Sequence, residues 1–208
     1  MSKSDQEPNN AIAKQKRGRP VGDHDSKRNE LVNAVIELLS EKGCQGISFR
    51  KVAAKVGCTT GAVTYYFENK EAMLIAATDY LFGQFELILA GENGDVKIVL
   101  DNWLNWSLSE SSEVAPIVAE LFVYARQDPN YAQHLQKWYI RMRSSLTATL
   151  EQGQARGEIR TDIDAAFLAD QLSALVDGWM IISPIEPQRY DPQQTKAFFD
   201  ITLKLLAP

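Results

Sequence analysis

Residues 59 to 70 read TTGAVTYYFENK, and the chemistry this run can offer to solvent is hydrogen bonding to an anionic polymer. Wound as a helix, it places Ala62, Val63, Tyr66 and Phe67 on an inner stripe and leaves Thr60, Gly61, Thr64 and Tyr65 outside. Thr60 and Gly61 are small enough for close approach, and the hydroxyls of Thr64, Tyr65 and Tyr66 can donate to phosphate oxygens. An ordinary helical hairpin with a polar outer side does not require small residues followed by adjacent tyrosines. A helix of this kind reads DNA only when its neighbours hold its N-terminal residues towards the base edges of the major groove.

The preceding residues supply that support. Phe49, Val52, Ala53 and Val56 fall at spacings of three and four, so a helix over them has one apolar stripe and carries Arg50, Lys51 and Lys55 on its other side. Ser48 suits its N-cap, Gly57 its C-terminus, and Thr59 the N-cap of the next helix, which Glu68 and Asn69 end. Two short helices joined by a glycine-containing turn make a helix-turn-helix. Its candidate DNA contacts are Ser48, Arg50, Thr59, Thr60, Gly61, Thr64, Tyr65 and Tyr66, with Arg50 and Thr60 expected to set base preference. Leu31, Ala34, Val35, Leu38 and Leu39 predict a supporting helix from Ser26 to Lys42, stopped by Gly43. Asn69 is expected to cap a longer helix to about Ala90, with Met73, Leu74, Ala77, Leu81 and Phe85 on its apolar stripe. Residues 14 to 20, KQKRGRP, put four cations in a polar segment with Pro and Gly. Residues 1–22 are therefore expected to be a flexible arm whose Arg17 and Arg19 reach a narrow minor groove; the alternative is a solubilising basic tail.

The segment resembles the DNA-binding domain of the TetR family of bacterial one-component repressors. That pattern is a short helix, a Gly-containing turn, Gly-x-x-(Tyr/Thr)-Tyr-x-Phe, and a basic residue near the start of the next helix. Gly61, Thr64, Tyr65, Tyr66, Phe67 and Lys70 occupy those positions, and the resemblance covers about residues 26 to 80. It implies a DNA-binding domain over 23–70 with Lys70 on a phosphate. It also implies a connecting helix after it, and a helical effector-binding and dimerisation domain over 71–208.

Charge distribution agrees with a basic head on an acidic body. The chain of 208 residues has a net charge of −5, yet residues 12 to 71 hold 11 Lys+Arg against 7 Asp+Glu, and residues 72 to 208 hold 10 against 18. Nucleic-acid binding follows the local patch rather than the total, and this patch is modest, so two copies are expected to be needed for specificity. No apolar run was found that approaches a membrane span, and MSKSDQEPNN lacks the apolar core of a secretory signal, so the expected location is the cytoplasm with no membrane partner. Cys44 and Cys58 are read as reduced thiols.

From residue 94 onward there is no strand-like alternation, and turn signals near 110–113, 127–129, 153–161 and 183–192 divide the chain into about five helices, giving an all-α fold. The last two, about Ile163 to Ile182 and Gln193 to Leu206, are too apolar for an exposed surface. Phe167, Gln171, Leu175, Phe198, Phe199, Thr202 and Leu206 are the expected dimer contacts, because in the resembled architecture these helices pair with their symmetry mates. A two-fold dimer fits a palindromic operator. Trp103, Trp106, Phe122, Tyr124, Trp138, Tyr139 and Trp179 could line a pocket or simply pack a core. The resemblance favours an effector site among them, with Glu120 and Asp177 available to a cation. SALVDGWM, which contains Asp177, is similar to the matching segment of choline-responsive betaine regulators.

Catalytic signatures are missing: there is no Gly-x-Ser-x-Gly elbow, P-loop or dinucleotide fingerprint, and no cofactor is implied. His24 and His134 lack Cys neighbours at metal-ligand spacing, so no metal site is expected. Asp162 and Asp164 read as capping charges at a helix start. The expectation is a ligand-responsive, sequence-specific repressor acting as a homodimer on a palindromic operator. The rivals are an effectorless DNA-binding or architectural protein controlled by a protein partner, and a helical enzyme or lipid-binding domain with an incidental helix-turn-helix.

Overall fold

The computed structural model describes residues 21–90, 95–108 and 114–208, and these fold into nine α-helices and two short 3₁₀ turns, with no strand among the described residues. The helices are α1 (Val21–Lys42), α2 (Phe49–Val56), α3 (Thr60–Tyr66), α4 (Lys70–Ala90), α5 (Val96–Leu108), α6 (Val114–Ala125), α7 (Pro129–Ala155), α8 (Ala165–Ile182) and α9 (Pro192–Leu206). The all-α expectation stands. Helix α1 begins five residues ahead of the predicted Ser26, inside the end of the predicted arm. Arg17 and Arg19 lie outside the described residues.

Short polar side chains start these helices as their types require. Ser48 accepts from the Lys51 amide, Thr59 from Ala62 and Asn69 from Ala72, so each of α2, α3 and α4 opens on a side-chain cap. Removing such a cap costs about 1 kcal/mol. Gly57 closes α2 at φ 71°, a left-handed conformation that favours glycine. Helix α3 ends at Tyr66, with Phe67 already extended, two residues before the predicted stop. Further on, Asp128, Asp164 and Asp191 cap α7, α8 and α9. Asp162 does not join them; it pairs with Arg160 at 2.6 Å.

Gly153 was expected to mark a break, but α7 runs through it to Ala155. A Cβ at this position would stand 2.7 Å from Ile159 Cγ1 and 2.8 Å from Val96 Cγ2. The glycine there permits close approach.

Helix α4 is the spine. It packs on α1 at its start and on α5 and α7 further along, while α7 and α8 pack along each other. The core runs without interruption from Leu31, Val35 and Val63 in the N-terminal bundle through Met73, Leu74 and Phe85 of α4 to Trp138, Leu146 and Val176. Contrary to the sequence reading, α8 is long and apolar enough to cross a membrane, although only 39% of it is buried here. Its composition follows from having two apolar sides: Leu168, Leu172 and Val176 face the core, whereas Phe167 and Leu175 face outward.

Candidate nucleic-acid interface and effector core

The α2–α3 pair is held from behind by α1. Val52, Ala53, Val63 and Phe67 are buried, and Tyr66 is half-buried. Lys55 reaches back to Glu37 at 2.8 Å and Glu41 at 2.7 Å on α1, so its charge is neutralised within the protein. These two hydrogen bonds raise the Lys55 pKa, and the same pairing lowers that of Glu41. Of the three cations assigned to the outer side of α2, Arg50 and Lys51 form no ion pair among the described residues and are exposed.

What remains at the surface is a polar face. Thr60, Gly61 and Thr64 are exposed, and Tyr65 is 73% exposed, an unusual position for so large a ring. The Thr64 hydroxyl donates to the Gly61 carbonyl at 3.1 Å, leaving its oxygen to accept. Ser48 and Thr59 accept from backbone amides, which locks the start of each helix. His24, on the first turns of α1, joins Tyr65 and Tyr66 in a three-ring cluster with centroids 4.8 to 5.9 Å apart. No spacing in the sequence signals this contact, because His24 and Tyr65 lie 41 residues apart. The ammonium of Lys70, the expected phosphate contact, lies 5.9 Å from the centre of the Tyr124 ring on α6.

Nine residues were assigned to an effector site, and the structure divides them. Trp106, Trp103, Trp138, Tyr139 and Phe122 belong to one connected series of rings, in which Phe85 touches all three of those tryptophans and Phe82 stacks on Trp138 at 3.7 Å. Asp177 joins this series by accepting from the Tyr139 hydroxyl at 2.9 Å. Burial, the larger influence, raises its pKa to about 6 against the opposing Tyr139 hydrogen bond and Arg143 charge. The remaining three lie elsewhere. Trp179 stacks on Phe198, Tyr124 donates to Asp128 and meets Tyr131, and the Glu120 carboxylate accepts from the Cys44 amide near the DNA-facing bundle. Phe82 and Phe85 were missed as candidates because α4 read as a connector alone.

The outer side of α8 and α9 is apolar. Phe167, Leu175, Ile201 and Leu205 are exposed, and a groove of about 490 Å³ between the helices is lined by Leu168, Gln171, Leu172 and Leu175 from one side and Thr202, Leu205 and Leu206 from the other. Among the expected dimer contacts, Phe199, Thr202 and Leu206 are only 4%, 8% and 4% exposed. They form the inward stripe of α9, which packs on α5, so Thr202 and Leu206 make the floor of the groove rather than its rim. Phe198 is half-buried against Trp179 and Tyr190. Arg160 fastens the end of α9, its backbone amide donating to the Leu206 carbonyl at 2.8 Å and its guanidinium to that of Leu205 at 3.3 Å.

A capped helix-turn-helix with a polar outer face, carried on a larger helical body, defines the class as helix-turn-helix transcriptional regulators. A model of bacterial regulatory proteins of the tetR family matches residues 31–77, and a BetI-type transcriptional repressor C-terminal model matches residues 100–208. This chain belongs to the TetR family of transcriptional regulators, whose members are DNA-binding proteins rather than enzymes. It is 25% identical over 175 residues to the fatty acid metabolism regulator protein of Bacillus subtilis, covering 79% of this chain and 87% of that one. It is also 25% identical over 191 residues to the HTH-type transcriptional regulator BetI of Proteus mirabilis, covering 86% and 91%. Among solved structures, a transcriptional regulator from Rhodococcus sp. Rha1 superposes with a TM-score of 0.74 at 27% identity, over 86% of this chain and 95% of the other.

Proposed function

We propose that this regulator is a ligand-responsive repressor that binds a palindromic operator as a cytoplasmic homodimer, with its reader over residues 23–70 and its effector-binding and dimerisation domain over 71–208. The observation that carries the DNA reading is the outer face of α3, where Thr60, Gly61, Thr64 and the 73% exposed Tyr65 face solvent on a helix fixed by caps at Ser48 and Thr59. Such a helix reads bases with its first residues, while the tyrosines bind phosphate. Arg50 and Lys51 extend the face, Arg17 and Arg19 reach the adjacent minor groove, and Lys70 swings from Tyr124 to a phosphate in the complex. Homodimerisation is supported by the apolar outer side of α8 and α9, since an exposed patch of this kind marks an association surface. Helices repeated about a two-fold axis match the two halves of a palindrome.

The effector reading rests on Asp177 and Tyr139 beside Phe122, Phe82 and Trp138, an acid set among aromatic faces. That combination suits a small organic cation, which the rings attract through their quadrupoles and the carboxylate through its charge. Its binding releases DNA only if the form with altered head separation takes the ligand more tightly, and by linkage DNA then weakens the ligand equally. Selection of bound duplexes from random DNA tests the main reading. A palindromic consensus is expected, and Tyr65→Ala should weaken binding to it about tenfold across related sequences while leaving the salt dependence unchanged, because a neutral phenol displaces no counterion. Undiminished affinity of the Tyr65 variant would remove this assignment of the DNA face.

A further inference from the structure

The 3₁₀ turn between α1 and α2, Cys44–Gly46, begins on Gly43, a residue with no side chain to cap it. The cap arrives from the other domain. Glu120 of α6 accepts from the Cys44 amide through Oε2 at 3.0 Å, and the Cys44 thiol approaches the Glu120 carbonyl at 3.5 Å. Gly43 is required here by its backbone conformation. Its φ of 61° with ψ of −176° is a conformation essentially confined to glycine, and a Cβ would stand 2.4 Å from Glu120 Oε2. The turn and the carboxylate are therefore shaped to each other.

Helix α6 places this contact strategically. Tyr124, one helical turn after Glu120, lies under the ammonium of Lys70, the first residue of α4 after the recognition helix. One stripe of α6 thus touches the reader on both sides: before α2 and after α3. Phe122, between them in sequence, points to the opposite region, with its ring 6.0 Å from that of Tyr139, which in turn donates to Asp177. We infer that Glu120 is a positioning residue for DNA recognition: by capping the α1–α2 turn from α6 it sets the angle of the reader on the body, and so the spacing of the two reading heads. A displacement of α6 at Phe122 reaches the reader through this hydrogen bond. The inference rests on the two-headed reading proposed above.

The test compares wild type, Glu120→Gln and Glu120→Ala as full-length proteins. Amide exchange across residues 43–47 reports the cap alone and needs no DNA. Binding to the selected palindrome and to versions with the spacer changed by one and two base pairs reports the consequence. Gln keeps the accepting oxygen, so it should match wild type in both. Ala should speed exchange in the turn and flatten the discrimination between best and altered spacers about threefold to tenfold, with the dimer retained. A destabilised but otherwise unchanged reader would lose affinity equally on all spacers, so uniform loss overturns the proposal, as does an Ala variant with wild-type spacer preference. Wild type that binds without any spacer preference overturns the two-headed reading itself, a result visible before any variant is made.

Discussion

Two faces of this molecule are exposed for opposite reasons. On α3 the exposed groups are threonine hydroxyls, a glycine and a tyrosine, flanked by Arg50 and Lys51, which form no ion pair among the described residues. On α8 and α9 they are Phe167, Leu175, Ile201 and Leu205 around an apolar groove. A polar face against a phosphate backbone gains its energy from charge and is weakened by salt, whereas an apolar face gains it from water release and is nearly indifferent to salt. The contrast separates two tasks. In the proposed dimer the head supplies recognition with little energy per copy, and the body supplies the energy that holds two heads together.

The largest expected effect attacks the apolar face. Leu205→Glu or Phe167→Glu would place a carboxylate where the proposed two-fold contact excludes water, so dimerisation should weaken at least a hundredfold, or by about 3 kcal/mol. Sedimentation at graded concentrations measures this directly. Operator affinity should fall with it although neither residue touches DNA, and a variant that stays dimeric would place the interface elsewhere. Phe199→Leu, by contrast, changes an inward residue and should alter stability rather than assembly.

Electrostatics distinguish the same two regions. Asp177 is a half-buried acid of the body, and its pKa of about 6 stands above the ordinary range for a carboxylate. Between that range and pH 6 the unfolded chain gives up this proton while the folded chain keeps it. The folded state then binds more protons, so this group's contribution to stability falls as pH rises through the window and is level above it. Asp177→Asn should remove that slope, giving a variant about 2 kcal/mol more stable than wild type at pH 7.5 and nearly equal to it at pH 4. Urea denaturation at several pH values decides it, and a difference that does not change with pH would mean the carboxyl is not desolvated. A cationic effector would reverse part of this penalty by pairing the charge.

The head was more legible in the sequence than the body, and the reason is the range of the interactions. Caps at Ser48, Thr59 and Asn69 involve partners three residues away, so residue type and spacing were enough to place them. In the body the deciding contacts span tens of residues. Glu120 read as a pocket acid because nothing near it in sequence reveals Cys44, and Gly153 read as a break because Ile159 and Val96 approach it only once α7 is packed. The rotation of α9 was ambiguous for a related reason: with apolar residues at 198, 199, 201, 203, 205 and 206, its pattern does not say which side turns inward. The ring series on α4 was hidden because Phe82 and Phe85 belong to a helix whose first turn already had a role.

The smallest effect is also the finest test of the head, because it compares two lysines four residues apart on α2. By composition Lys51 and Lys55 are equivalent cations. In the structure Lys55 is held by Glu37 and Glu41, while Lys51 is exposed with no ion pair among the described residues. A lysine already neutralised releases no counterion from DNA, so Lys55→Gln should leave the salt dependence of operator binding unchanged and only loosen α2 from α1, seen as a lower melting temperature. Lys51→Gln should do the reverse, reducing the slope of log affinity against log salt by about one while leaving thermal stability intact. Equal slopes for the two variants would mean that the Lys55 ion pairs open in the complex, and the reader would then be more basic than its free surface.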